Sequence, residues 1–197
     1  MTVRSRRTTL QARADLQAKR SSDSTRHKCF VSYHVADMDE VELFIDDYGS
    51  TFIARCVGVT EESDFVDSTD EEYIKRRIRE DYLTDSTVTI VLLGKCTWSR
   101  KFVDWEISSS FRNDSNNKRS GLLVIPLPSM KNSARLPDRI KDNWVENDTT
   151  NSYALYNSYP TSSQQLKRSI KAVFDSRTTK GDKVDNSRSL RKRNSSC

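Results

Sequence analysis

TVTIVLLG, residues 87–94, is a β-branched and aliphatic run closed by a glycine. It is apolar on both faces of its two-residue period. It therefore reads as a strand buried from both sides, the mark of a parallel sheet covered by helices above and below. Moving upstream, CFVSY (29–33) is a second compact apolar run, stopping at His34, and TFIARCV (51–57) is a weaker one. Downstream, LLVIPL (122–127) is a further strand, ended by Pro126 and Pro128, and Tyr153–Tyr156 is a short last one. Between these runs the apolar spacing changes to three and four. Residues 37–48 place Val41, Phe44, Ile45 and Tyr48 on one helical face, with Gly49 as a C-cap. Ser68 and Glu71 form a capping-box signature for a helix to Leu83, with Ile74, Ile78 and Tyr82 along one side. Phe102–Phe111 is a further helix, and Ser162 or Ser163 caps a last one running to about Phe174, with Leu166, Ile170 and Val173 inward. The polar stretches 59–69, 95–101 and 113–119 read as loops, and 129–152 as irregular.

Strands alternating with helices define the α/β class. Five strands in about 150 residues suit a flavodoxin-like parallel sheet of order 2-1-3-4-5, flanked by helices. In that order the winding reverses between strands 1 and 3, and ligands bind beyond the carboxyl ends of the strands at the reversal. The site is therefore expected between the loop after Tyr33 and the loop after Leu93.

The chain has 197 residues, 35% hydrophobic and 31% charged, a polar balance that leaves part of it outside a packed core. Residues 1–28 carry eight Lys/Arg against two Asp/Glu, and 176–197 carry seven against two, so the body between them is acidic. The expected organisation is a disordered basic arm at 1–27, with room for a short helix near Thr9–Arg20, one domain at 28–175 and a disordered basic tail at 176–197. Basic tails can hold RNA or anionic lipid, but solvated extensions are the plainer reading, and an acidic body argues against a nucleic-acid groove. Cys29, Cys56, Cys96 and Cys197 show no metal or CxxC spacing, a pattern of a reducing compartment. No run is long enough to span a membrane, and the Arg-rich start lacks the apolar stretch of a secretory signal, so the expectation is cytoplasmic. The acid-free first 14 residues also fit a mitochondrial transit peptide, as the lesser reading.

Tyr33, His34 and Asp37 follow strand 1. Thr97, Trp98, Ser99, Arg100 and Lys101 follow strand 3, with Trp105 and Glu106 on the next helix. At 100° per residue Glu106 falls at the edge of the stripe Val103, Ile107, Ser110, Phe111, where partial desolvation would strengthen its pull on a bound cation. By pattern alone the stronger reading is an ordinary boundary glutamate paired with Lys101 or Arg112. His34 can be a structural histidine, and Trp98 and Trp105 can be packing. A P-loop, GxGxxG, HExxH and GxSxG are absent from the sequence. Gly94–Lys95 stand where a phosphorelay receiver needs an aspartate, and HVADMDE stands where a flavodoxin has its phosphate loop.

FVSYH (30–34), TVTIVLLG (87–94) and TWSRKFVDWEI (97–107) resemble the TIR-like proteins of bacterial Thoeris antiphage systems, the ThsB group. YALYNSYPTSSQQL (153–166) is similar to members of the wider TIR-like family. SRKFVDWEI is the most specific stretch. It resembles the S-x-x-W-(C/V)-x-x-E-(L/I) pattern of plant and animal TIR domains, whose glutamate is catalytic in NAD cleavage. The matching position is Glu106, and Phe102 stands where the family often has Trp. The resemblance implies an NAD nucleosidase or ADP-ribosyl cyclase of antiphage defence that needs no cofactor, with NAD as its substrate. The implied product is a cyclic ADP-ribose-type signal for a separate effector protein. It further implies that Ser32, Tyr33 and His34 line the nucleotide pocket, and that a homo-oligomer completes the site. Arg100 would meet the pyrophosphate, and Trp105 or Tyr33 would stack on a base. The alternative is a non-catalytic TIR-like module that works by protein-protein interaction in signalling.

Overall fold

The computed structural model describes residues 3–19, 23–57, 70–81, 83, 85–114, 118–130 and 134–197. Strands β1 (Lys28–Ser32), β2 (Ile53–Val57), β3 (Val88–Leu93), β4 (Gly121–Pro126) and β5 (Leu155–Tyr156) form one sheet, all parallel. Its order is β2-β1-β3-β4-β5, the order expected of a flavodoxin-like domain. Cys29 of β1 pairs with Val88 of β3, which pairs on its other side with Gly121 of β4.

Both faces are covered, which is why β3 and β4 are buried at every position. Val88, Ile90 and Leu92 point, with Leu123 and Ile125, toward the layer of α1 (Val3–Lys19), α2 (Met38–Tyr48) and α6 (Ser163–Thr179). Val91, Leu93, Leu122 and Val124 point toward α4 (Lys101–Ser110) and α5 (Asp138–Lys141). A third cluster joins Phe30 of β1 to Ile74 and Ile78 of α3 (Glu71–Asp81) and to Phe102 and Trp105 of α4.

The helix ends follow local chemistry. Ser162 caps α6, its side chain accepting the Gln165 N–H. The helix runs on past Phe174 because Ser176 is buried and the Arg177 Nε donates to the Arg119 carbonyl at 2.8 Å. Ser68, Tyr82 and the loop 59–69 lie outside the described residues. Asp70 caps α3, its carboxylate accepting the N–H groups of Glu72 and Tyr73 at 3.0 and 3.2 Å. Gly49 is not a left-handed C-cap: its φ is −59°, and its smallness serves α1, since a Cβ there would lie 3.2 Å from Gln17 Cβ.

Two expectations about the chain ends are corrected. Residues 3–19 of the basic arm form α1, with Leu10 and Ala14 fully buried. Arg6 bonds Glu42 at 3.0 Å and also Asp39, while Arg13 bonds Glu42 at 3.2 Å and also Asp46. The arm is thus packed through Leu10 and Ala14 and paired with the acid-rich outer face of α2. Two apolar residues one turn apart leave no periodic signal, and a partner helix elsewhere in the chain is invisible to a local reading.

At the other end, α6 continues to Thr179, and an ordered strap, residues 184–197, crosses α5 and α4. Asn143 exchanges hydrogen bonds with the backbone of Asp185, and Leu190 is buried in the third cluster. The strap ends in a disulfide between Cys197 and Cys96, residues separated by 101 positions. That pairing runs against the reducing-compartment pattern read from the cysteine spacing. Cys29 is free and buried, and burial pushes its thiol pKa up. Among the described residues no helix is long and apolar enough to cross a membrane.

Candidate functional site at the carboxyl ends of β1 and β3

Alternation along β1 sends its last side chains to opposite faces. Phe30 and Ser32 face α3 and α4, whereas Val31 and Tyr33 face the α2 layer. Ser32 thus meets Glu106: its hydroxyl donates to Glu106 Oε2 at 2.5 Å, and Glu106 is 2% exposed. The Glu106 carbonyl accepts from the Ser110 hydroxyl at 2.8 Å, and that hydroxyl lies 2.7 Å from Thr89 Oγ1 of β3. These contacts fix α4 against the centre of the sheet. Tyr33 is not brought to Glu106. Its ring is buried in the α2 layer, with its hydroxyl 3.4 Å from Met38 Sδ.

The loops after β1 and β3 meet as the winding rule requires. Residues 35–37 form a 3-10 turn whose last N–H donates to the His34 carbonyl at 2.9 Å. Thr97 Oγ1 accepts the Gly94 N–H at 2.9 Å and faces Asp37 Oδ2 at 3.4 Å. Gly94 has no side chain because a Cβ there would sit 2.0 Å from the Asp37 carboxylate. Burial pushes the Asp37 carboxyl up to about 6, with the Thr97 hydrogen bond and the Arg100 charge pulling the other way. His34 is half-buried at the start of this loop.

Arg100 is the N-cap of α4, and its Nε donates to the Cys96 carbonyl at 3.3 Å. Trp98 lies under the Arg135 guanidinium, 3.5 Å from its ring centre. Trp105 packs edge-on to Phe102 at 5.4 Å and donates its indole N–H to the Arg191 carbonyl of the strap at 2.8 Å. Arg112 pairs with Asp114 and Glu72.

A local reading missed the buried ion pair of Asp104 with Arg139, at 2.9 and 3.2 Å, with the Arg139 side chain fully buried. Arg139 falls in a stretch without periodicity, so nothing in the sequence marked it. Asp37 is expected beside the switch point, but its contacts with Gly94 and Thr97, about 60 positions on, lie beyond a local reading. Three cavities of about 440, 500 and 780 Å³ lie elsewhere, and none is lined by Ser32, His34, Arg100, Trp105 or Glu106.

A parallel 2-1-3-4-5 sheet with its polar loops converging at the switch point, and a carboxylate on the helix after β3, is the architecture of a TIR-like domain. The model of the family described as Thoeris protein ThsB, TIR-like domain, matches residues 30–132, more than half of the chain, and the chain belongs to that family. No curated protein matches the chain. The matched range includes Ser32, Asp37, Gly94 and Glu106, whereas α1 and the strap lie outside it.

Proposed function

We propose that the chain cleaves NAD at the nicotinamide–ribose bond and makes a cyclic ADP-ribose-type signal, read by a separate effector in antiphage defence. The observation that carries this reading is the Glu106 carboxylate, desolvated and held by the Ser32 hydroxyl at the switch point of a Thoeris TIR-like domain. The nicotinamide of NAD is already a cationic leaving group. Its departure leaves oxocarbenium character on the ribose, and one fixed carboxylate can stabilise that charge without protonating anything. Ser32 acts by fixing which way the carboxylate points. In this reading Arg100 meets the pyrophosphate, His34 orients a ribose hydroxyl and Trp105 stacks on a base. Attack by water gives ADP-ribose. Attack by the adenine or a ribose hydroxyl of the same molecule gives a cyclic isomer. A homo-oligomer and an infection-dependent trigger belong to the same proposal.

Mass-spectrometric analysis of NAD and its products, on wild type and Glu106→Gln, purified and in phage-infected cells, tests the reading. Wild type should release nicotinamide with a cyclic or ADP-ribose-mass product, and Glu106→Gln should lose about 100- to 1000-fold in rate. The near-complete burial of Glu106 also suits a structural carboxylate in a non-catalytic interaction module. No turnover by either protein, even in infected cells, would favour that second reading.

A further inference from the structure

The loop after β3, which borders the site described above, is clasped together with α4 by this chain's own strap. Leu190 is buried against Phe102 and Trp105, and the Arg191 carbonyl holds the Trp105 indole N–H. Beyond Arg191 the strap clasps the start of α4. Asn194 Oδ1 accepts the Lys101 N–H at 2.8 Å, and the Ser195 N–H donates to the Ser99 carbonyl at 3.1 Å. The Cys96–Cys197 disulfide then ties the strap to the loop that carries Trp98 and Arg100.

We propose that the strap is a redox-held latch on the 96–101 loop that borders the candidate site, closed while Cys96 and Cys197 are joined and opened by a thiol reductant. The inference rests on the reading of this site as NAD-cleaving. The two halves of the strap are held differently. Upstream of Arg191 it is anchored by the buried Arg139, which donates to Asn186 Oδ1 and to the Ser189 carbonyl. Residues 192–197 meet the α4 start through the hydrogen bonds of Asn194 and Ser195, turn back on the strap where Arg191 donates to the Ser195 hydroxyl at 2.9 Å, and carry one covalent tie. The tie pins the far end of this segment as Arg191 pins its near end, which raises the effective concentration of Asn194 and Ser195 at the α4 start; without it the segment is held at one end only and those bonds compete with water. A dithiol such as dithiothreitol breaks the Sγ–Sγ bond. It delivers two electrons and two protons to give two cysteine thiols, and leaves as its own cyclic disulfide. The Lys101 N–H, the Ser99 carbonyl and the 96–100 loop are then released together. An acceptor oxygen of a ligand and Asn194 would contest the same Lys101 N–H.

The test is hydrogen exchange read by mass spectrometry on the full chain, oxidised and dithiothreitol-treated. Cys197→Ser and Asn194→Ala are run beside it, and NAD turnover is measured on the same samples. Reduction should speed exchange of residues 192–197 and of Lys101 by about tenfold or more, while 185–190 stay protected. Cys197→Ser should show the open pattern with or without reductant, and Asn194→Ala an intermediate one while oxidised. NAD turnover should rise about tenfold on reduction in wild type and be insensitive to it in Cys197→Ser. Equal exchange in both redox states would overturn the latch, as would turnover indifferent to reductant. Redox-dependent exchange with no NAD turnover in any sample or infected cell would count against the NAD reading alone.

Discussion

The Asp37 carboxyl, raised from 3.8 to about 6 mainly by burial, is held protonated by the folded chain at a pH where an unfolded chain would ionise it. The fold therefore binds this proton more tightly than the unfolded state does, and stability falls as pH rises. The penalty is absent below about 4, grows between 4 and 6, and is complete above 6. A shift of this size corresponds to about 3 kcal/mol, and solvent screening of a half-exposed group reduces it to about 1 kcal/mol. Asp37→Asn keeps an acceptor for Thr97 and removes the charge. It should stabilise the chain by about 1 kcal/mol at pH 8 and by nothing at pH 4, read from urea midpoints at the two values. An equal gain at both would mean that something other than ionisation is at work. Glu106 was reached on the likeness of the SRKFVDWEI stretch, because one carboxylate at the edge of a helical stripe looks like many others. Its partner Ser32 is 74 positions away, a separation no periodicity spans.

Among the elements, α4 shows why some of the fold was legible and some was not. Its place after β3, the run of β3 itself and the sheet order all follow from two local signals, apolar period and alternation of strand with helix. The burial of α4 on nearly every side does not. Asp104 and Glu106 sit two positions apart on the same buried helix, yet the first is neutralised by Arg139 of α5 and the second is held by Ser32 of β1. Periodicity orders residues within an element but is silent on which element covers it. Arg139 also reaches Asn186 and Ser189, so one guanidinium joins α4, α5 and the strap. Removing it leaves Asp104 buried with only the Arg191 N–H in its place. Arg139→Leu should therefore cost about 3–5 kcal/mol, visible as a large fall in the thermal midpoint. The double variant Arg139→Leu/Asp104→Leu should regain most of that loss, because no uncompensated charge remains. If the double variant were no better than the single, the loss would come from the strap contacts, not from the stranded carboxylate.

For the whole molecule, the two basic ends are ordered by different physics, and salt separates them. α1 lies on α2 through Arg6 and Arg13, whose side chains are 34% and 40% exposed, against Glu42, Asp39 and Asp46. Each exposed pair is worth at most about 1 kcal/mol, and only the network on top of Leu10 and Ala14 makes the helix stay. The screening length falls from about 10 Å at 0.1 M to about 3 Å at 1 M, so such a network weakens with salt. The upstream strap has one exposed pair, Arg188 with Asp142, but rests mainly on the fully buried Arg139 side chain and on Leu190, where ions do not reach. Raising NaCl from about 0.05 to about 1 M, which shortens the screening length more than fourfold, should speed amide exchange in α1 about fivefold, a loss near 1 kcal/mol. The amides of 185–190 should change far less, since the Arg188–Asp142 pair is exposed but the Arg139 and Leu190 contacts are not. Insensitivity of α1 would mean that Leu10 and Ala14 alone hold the arm and that the acidic face of α2 is incidental to it. Equal sensitivity at both ends would mean that the strap, too, is held by surface charge, and that its grip on α4 weakens with ionic strength before any disulfide is broken.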